Sequence, residues 1–261
     1  MELRTLASGS SGNCILISHA GEHILIDAGV SCRRITQALS AVGVDPRRLV
    51  GVLITHEHSD HMAGLSTLCR QYPLQVYTAP GTGYQLCYRM AGLEDRIRPV
   101  TPEGEVAVGG FTVKAFPLSH DAAQPQGYAV TAGGRTAAVV TDLGHVTPQV
   151  LAGTRGAGVV VCESNHDPDW LADGPYPPQL KLRILGDRGH LSNEAGAALA
   201  LECVKAGAHS VILGHLSAQN NTPARALEVA GGVLRRGGVD PARDIRLAVA
   251  PRDEPSAAYE V

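Results

Sequence analysis

Val50-Gly51-Val52-Leu53-Ile54 runs straight into Thr55-His56-Glu57-His58-Ser59-Asp60-His61, and this stretch decides the reading of the chain. A short continuous apolar run is the pattern of a strand buried on both faces. The residues that follow crowd the imidazoles of His56, His58 and His61 and the carboxylate of Asp60 into six positions. Crowding of that kind is costly unless a cation binds it, and imidazole nitrogen and carboxylate oxygen are usual zinc ligands. A loop leaving a strand can fan His56 and His58 toward one ion and turn Asp60 and His61 toward a second. A polar turn with solvated histidines is the competing reading, and the density and placement of the set weigh against it.

The same placement recurs along the chain. Asp27 ends His23-Ile24-Leu25-Ile26, His120 ends Phe116-Pro117-Leu118-Ser119, Asp142 ends Ala138-Val139-Val140-Thr141, and His215 ends Val211-Ile212-Leu213-Gly214. Strands are expected at Ile24–Ile26, Val50–Ile54, Gln75–Tyr77, Thr112–Phe116, Ala137–Val140, Val159–Val161 and Val211–Leu213. Helices are expected between them: from Ser31 to about Val42, from Ser192 through Lys205, and from Thr222-Pro223 to about Arg235. Ser and Thr stand at the N-caps, Pro at a first helical position and Gly just past the ends. Strands interleaved with helices indicate an α/β layered fold, and in open sheets of that kind sites form at the carboxyl ends of strands. Sorted by chemistry, His56, His58 and His120 supply one metal, Asp60, His61 and His215 a second, and Asp142 bridges the two. Two metals so held share and acidify a hydroxide and clamp the oxygens of a displacement. Asp27 then has no vacancy as a ligand and is expected to orient the histidine loop.

Length and composition bound the rest. The 261 residues are 44% hydrophobic and 18% charged, which excludes disorder as the main state, and no linker divides them, so one domain over 1–261 is expected. Basic and acidic residues number 22 and 25, and they divide evenly about residue 150, so neither half is a polybasic nucleic-acid surface. Nucleic acid must therefore meet a local groove or bound metal. Six cysteines without a CxxC pair read as reduced thiols, and with no signal-like start or membrane-length apolar run a cytoplasmic setting is expected.

On these residues the chain resembles the metallo-β-lactamase superfamily, whose His-x-His-x-Asp-His signature is matched at His56, His58, Asp60 and His61. Its later motifs are matched at His120, Asp142 and His215. The resemblance implies an αββα sandwich with two divalent ions, Zn²⁺ or Mn²⁺, at one edge. Leu6-Ala7-Ser8-Gly9-Ser10-Ser11-Gly12-Asn13, Ser119-His120-Asp121-Ala122, Thr141-Asp142-Leu143-Gly144, Glu163-Ser164-Asn165-His166-Asp167 and Gly189-His190-Leu191-Ser192-Asn193 resemble the YycJ (WalJ) group more narrowly. That resemblance implies a metal-dependent, exonuclease-like hydrolase, with 5′–3′ exonucleolysis among the activities it covers. Asp at 142, where many β-lactamases of the superfamily carry Cys, agrees with a phosphodiesterase. The 73 positions from Asp142 to His215 leave no room for the inserted domain of the β-CASP nucleases.

Secondary candidates are weighed against ordinary roles. Ser8, Ser11 and Asn13 lie in a small-residue loop that either cradles a phosphate or simply turns. Gly-His-Leu-Ser occurs at both 189–192 and 214–217. His215, which follows a buried strand, is preferred as the ligand, and His190 is expected to contact phosphate or protonate a leaving oxygen. His166 either joins it or is structural, and Ser217 is expected to face the metal edge. Asp167 to Pro178 reads as a surface loop. The leading expectation is a dinuclear hydrolase of phosphodiesters acting on nucleic-acid ends, with Asp60 and His190 in catalysis. The alternatives are a glyoxalase-II-like carbonyl hydrolase and a metal-bound regulatory module without catalysis. No protein partner or oligomeric state is readable.

Overall fold

A computed structural model describes residues 1–261. One sheet holds β1 (Glu2–Ala7), β2 (Cys14–His19), β3 (Glu22–Ile26), β4 (Leu49–Ile54), β5 (Val76–Thr78) and β6 (Ile97–Pro99) in that order. The second holds β7 (Glu105–Val108), β8 (Phe111–Pro117), β9 (Gln126–Ala132), β10 (Arg135–Val140), β11 (Val159–Glu163), β12 (Ser210–Gly214) and β13 (Arg246–Val249), again as consecutive neighbours. A terminal strand, β14 (Tyr259–Glu260), returns to pair with β1. Both sheets are mixed: β3 to β6 run parallel, as do β10 to β13, and the remaining pairs are antiparallel.

Side-chain alternation makes the layers. Ile15, Ile17, Ile24 and Ile26 of the first sheet meet Val130, Val139, Val161 and Ile212 of the second in one buried core. The residues between them point outward: Leu16 and Leu25 pack under α1 (Cys32–Ala41) and a second helix, α3 (Leu65–Gln71). On the other side Val140, Val160 and Cys162 pack under α8 (Asn193–Lys205) and α9 (Pro223–Arg236). Both faces of the central strands are therefore apolar, which is why their sequences read as unbroken runs. The result is an αββα sandwich, the architecture that the resemblance implies.

The expected caps are present. Ser31, Ser192 and Thr222 accept from the backbone N–H of Arg34, Ala195 and Arg225. Two further helices, α4 (Pro80–Arg89) and α5 (Pro148–Thr154), flank the sheets, and α2 (Ser59–Met62) is a single turn inside the histidine stretch. The segment 167–178 is not a plain surface loop. It forms α6 (Pro168–Asp173), capped by the Asp167 carboxylate and anchored by the fully buried Leu171, and it leads into α7 (Pro178–Leu185). Asp followed by Pro is an N-cap with Pro at the first helical position, a start signal masked by the Pro and Gly around it.

Candidate metal centre

The strands β3, β4, β8, β10, β11 and β12 all deliver their last residues to one edge of the sandwich. Turning sharply there has a backbone cost. Asp27, Asp142 and His215 take φ of 64°, 67° and 56°, and they are three of only four non-glycine residues with positive φ. Asp and His tolerate that left-handed conformation better than most residues, yet each such position stores about 1–3 kcal/mol of strain. Strain gathered at strand ends that carry acids and imidazoles is the pattern of a functional site.

The histidine loop is held from behind. Asp27 accepts Thr55 N–H at 2.9 Å and the Thr55 hydroxyl at 3.0 Å, and His61 Nδ1–H donates to its Oδ2 at 2.8 Å. Thr55 Oγ1 also lies 3.0 Å from His56 Nδ1. His120 Nδ1–H donates to Gly189 O at 3.0 Å. One ring nitrogen of each imidazole is thus occupied, and Nε2 is aimed into the site, the usual arrangement behind metal-binding histidines. Asn13 N–H donates to Asp60 O at 2.8 Å, and Gly29 lies so close that a Cβ there would sit 1.6 Å from that same oxygen. Ser8 Oγ accepts His215 N–H at 3.0 Å.

Donor atoms gather into overlapping groups. His56, His58 and His120 form one, Asp60, His61 and His215 another, and in each the ligand atoms lie within 4.8 Å of one another. Asp142 lies between them: its Oδ2 is 2.8 Å from His215 Nδ1 and 3.3 Å from His61 Nε2, and its Oδ1 is 3.9 Å from His120 Nε2. Neighbouring rings from His56 through His215 meet edge-on or tilted at centroid distances of 4.1 to 5.6 Å. His56 Nε2, Asp142 Oδ2 and His215 Nδ1 are buried without a hydrogen-bond partner of acceptable geometry. Leaving such atoms unmatched costs about 1–3 kcal/mol each, so the donor set fits divalent cations and is incomplete without them.

The charges follow the same logic. Burial opposes ionisation of Asp142, but His215 and His61 outweigh it and hold the carboxyl well below its usual range. Burial likewise opposes a charged His61, but Asp142 and Asp27 hold its imidazole well above the ordinary value. Burial depresses both His56 and His120, keeping them neutral, the form that binds metal.

Sequence reasoning gave no role to Glu163. Its carboxylate is fully buried at the end of β11, accepts Leu143 N–H at 3.1 Å and Leu191 N–H at 3.0 Å, and takes His190 Nδ1–H at 2.8 Å. The available signal was an acid closing the apolar run Val159–Cys162, the same placement as Asp142 after β10. Burial works against protonation of His190, but Glu163 and then Asp142 overcome it and carry the imidazole up to about 9. His190 and His215 therefore both reach the site, and their donor atoms, with those of Asp142 and Glu163, lie within 4.8 Å of one another.

The cavity in front of the donors encloses about 190 Å³. Asp60, His190, His215 and Ser217 line it. Ser11 is exposed and outside its lining, whereas the adjacent Ser10 is part of it. Ser8 and Asn13 brace the ligand-bearing backbone. His166 is 1% exposed, does not line the cavity, and is pushed by burial down to about 4. Of the cations beside His190, Arg183 lines the cavity and pairs with Asp121, Arg188 donates to His120 O, and Lys181 reaches Ala172 O.

A family model described as a beta-lactamase superfamily domain matches residues 22–216, which span the whole donor set except its bracing loop. The chain belongs to the metallo-β-lactamase superfamily. Within the superfamily it is similar to an exodeoxyribonuclease YycJ of Bacillus anthracis, 35% identical over 222 residues that cover 85% of this chain and 84% of the relative. It is similar to an exodeoxyribonuclease WalJ of Streptococcus pneumoniae serotype 2 at 35% over 219 residues, covering 83% and 81%. The crystal structure of the metallo-β-lactamase fold protein YhfI from Bacillus subtilis superposes with a TM-score of 0.72 over the full length of both chains at 15% identity, which speaks to the fold alone. No helix is long and apolar enough to cross a membrane.

Proposed function

We propose that this superfamily member is a two-metal phosphodiesterase that shortens DNA from an end. The observation that carries the reading is the pair of donor triads flanking Asp142 behind one cavity, which His58, Asp60, Asp142 and His215 line. The 35% identity to exodeoxyribonucleases supports DNA as the substrate. His56, His58 and His120 would hold one cation, Asp60, His61 and His215 the other, with Asp142 between. Bound there, two divalent cations, Zn²⁺ or Mn²⁺, acidify a water and offset the charge that builds on the phosphate.

The chain's own residues supply the rest. Asp27 fixes the His61 ring, and Thr55 ties it to His56. Asp60 orients toward His61 and His215, at 3.4 and 3.6 Å. Glu163 locks His190 Nδ1 as a donor, which leaves Nε2 for the cavity. His190 would give its Nε2 proton to the leaving oxygen, and the Glu163 carboxylate at Nδ1 holds the ring in its charged form until the bond breaks. Free thiols at all six cysteines support a reducing, cytoplasmic setting.

The test is digestion of an end-labelled DNA duplex by the metal-loaded protein, with Asp60→Ala and a glutathione thioester assayed beside it. Stepwise shortening by the wild type, lost in Asp60→Ala, is expected, and the label gives the polarity. Thioester turnover without DNA shortening would overturn the reading in favour of a carbonyl hydrolase.

A further inference from the structure

One wall of the cavity offers no metal donor. Three of its 12 lining residues are apolar, and all three, Tyr176, Leu180 and Ile184, come from a single segment. Their four-residue spacing places Leu180 and Ile184 on one face of α7, a turn apart, with Tyr176 just before its first turn. His58, Asp60, Asp142, His190 and His215 line the same cavity. Leu182 and Leu185, on other faces of α7, are 71% and 53% exposed.

The wall is tied to His190. Tyr176 stands in Gly174-Pro175-Tyr176-Pro177-Pro178, where three prolines fix φ and leave the ring little backbone freedom to lose on binding. At the other end of α7, His190 N–H donates to Ile184 O at 2.9 Å. Gly189 permits that approach, since a Cβ there would stand 2.1 Å from the same oxygen. Arg183 joins the helix to the segment after β8 by two bonds to Asp121, at 2.5 and 3.1 Å.

A phosphate has no use for such a surface, because its oxygens require donors. An aromatic ring and two aliphatic side chains facing a phosphate-sized donor set suit a ligand with one anionic end and one flat apolar end. We propose that Tyr176, Leu180 and Ile184 form a nucleobase subsite. The base of the terminal nucleotide stacks on Tyr176 and packs on Leu180 and Ile184 while its phosphate lies among the donors. This deepens the DNA-end reading and rests on it for the substrate class. A stacking platform accepts every base, so the subsite confers recognition of a base without preference among the four.

The experiment compares binding and turnover on the metal-loaded full-length protein. Deoxyadenosine monophosphate should bind about 10-fold more tightly than deoxyribose 5-phosphate, the scale of one base–aromatic stack. Tyr176→Ala should lose most of that difference, leaving only the packing on Leu180 and Ile184, and Tyr176→Phe should restore it. An oligonucleotide with an abasic end should show a KM about 10-fold above that of the intact end for the wild type. The same comparison in Tyr176→Ala should show no further change, with kcat little affected. Equal binding of nucleotide and sugar phosphate by the wild type would overturn the subsite, as would a Tyr176→Ala defect equal on intact and abasic ends. Absence of DNA shortening with the nucleotide preference intact would instead sink the exonuclease reading and leave the subsite standing.

Discussion

Asp27 Oδ2 lies 2.8 Å from His61 Nδ1, both side chains essentially without solvent contact. This contact fixes which nitrogen of His61 faces the site. Replacing Asp27 with Asn keeps the shape and removes the charge that holds the ring. Metal affinity should fall about 10- to 100-fold, as for lost partners behind metal-binding histidines, while circular dichroism stays native. Titration with Zn²⁺ against a chelating indicator measures it, and unchanged affinity would remove Asp27 from the support of the site.

Glu163→Gln tests the proton supply, with Zn²⁺ affinity measured beside it because Glu163 Oε1 also lies 3.4 Å from His215 Nδ1. His190 acts in its protonated form, so activity persists up to the pH at which it loses the proton. Glu163 raises that point, and its loss should move the alkaline limb of the kcat/KM profile to lower pH. Activity near pH 6 should suffer least. An alkaline limb that does not move would mean that His190 is not the proton donor.

Gly29→Ala tests the brace under Asp60. A Cβ 1.6 Å from the Asp60 carbonyl oxygen forces the ligand loop or the Ser8–Asn13 segment to shift. The expected cost is about 3 kcal/mol or more, read as a lowered midpoint in denaturant. A midpoint equal to the wild type would show that the loop has slack.

Removing metal should destabilise the whole chain. With free Zn²⁺ at roughly 1,000 times its Kd, binding adds about 4 kcal/mol to the folded state. A chelator should therefore lower Tm, and re-addition of Zn²⁺ or Mn²⁺ should restore it. A Tm indifferent to chelation would contradict the reading of the unpartnered His56 and Asp142 atoms as metal donors.

Asp167 gives a pH test away from the ligands. Burial opposes its charge, but Arg225 at 2.7 Å and two α6 backbone N–H groups hold its carboxyl below the usual range. A depressed folded pKa means the stabilisation is complete above the unfolded value and is lost as pH falls through the folded one. Asp167→Asn should therefore lower Tm by a constant amount between pH 7 and 5, and the gap should close below about pH 4. A gap independent of pH would assign the effect to packing.

Most core strands and the edge that bears the donors were legible because apolar runs ending in Asp or His are a local signal; β9, buried between β8 and β10 but ending at Gly133-Gly134, carries no such signal and was not. Edge strands such as β7 and β13 were not, since each shows water one face or one end and breaks its apolar pattern. Glu163 was obscured because nothing in a sequence distinguishes a buried acid that grips a histidine from an acid that caps a turn. His166 misled in the opposite direction. It follows its strand at the same spacing as His120 follows β8, but its backbone bridges to Ser192 and its ring is buried outside the cavity. The α7 wall is a three-dimensional fact: Tyr176, Leu180 and Ile184 are spaced like any helix face, and only the packing of α7 over the cavity gives that face a ligand.

The left-handed turns at Asp27, Asp142 and His215 bear on how such a chain can change over time. Glycine would relax each turn but remove the side chain the site needs. An inactive descendant freed from selection for catalysis should therefore drift to glycine or asparagine at these three positions first. It should also become sturdier in the absence of metal as it does so. Ordinary decay of function is random in position; here the backbone supplies the direction.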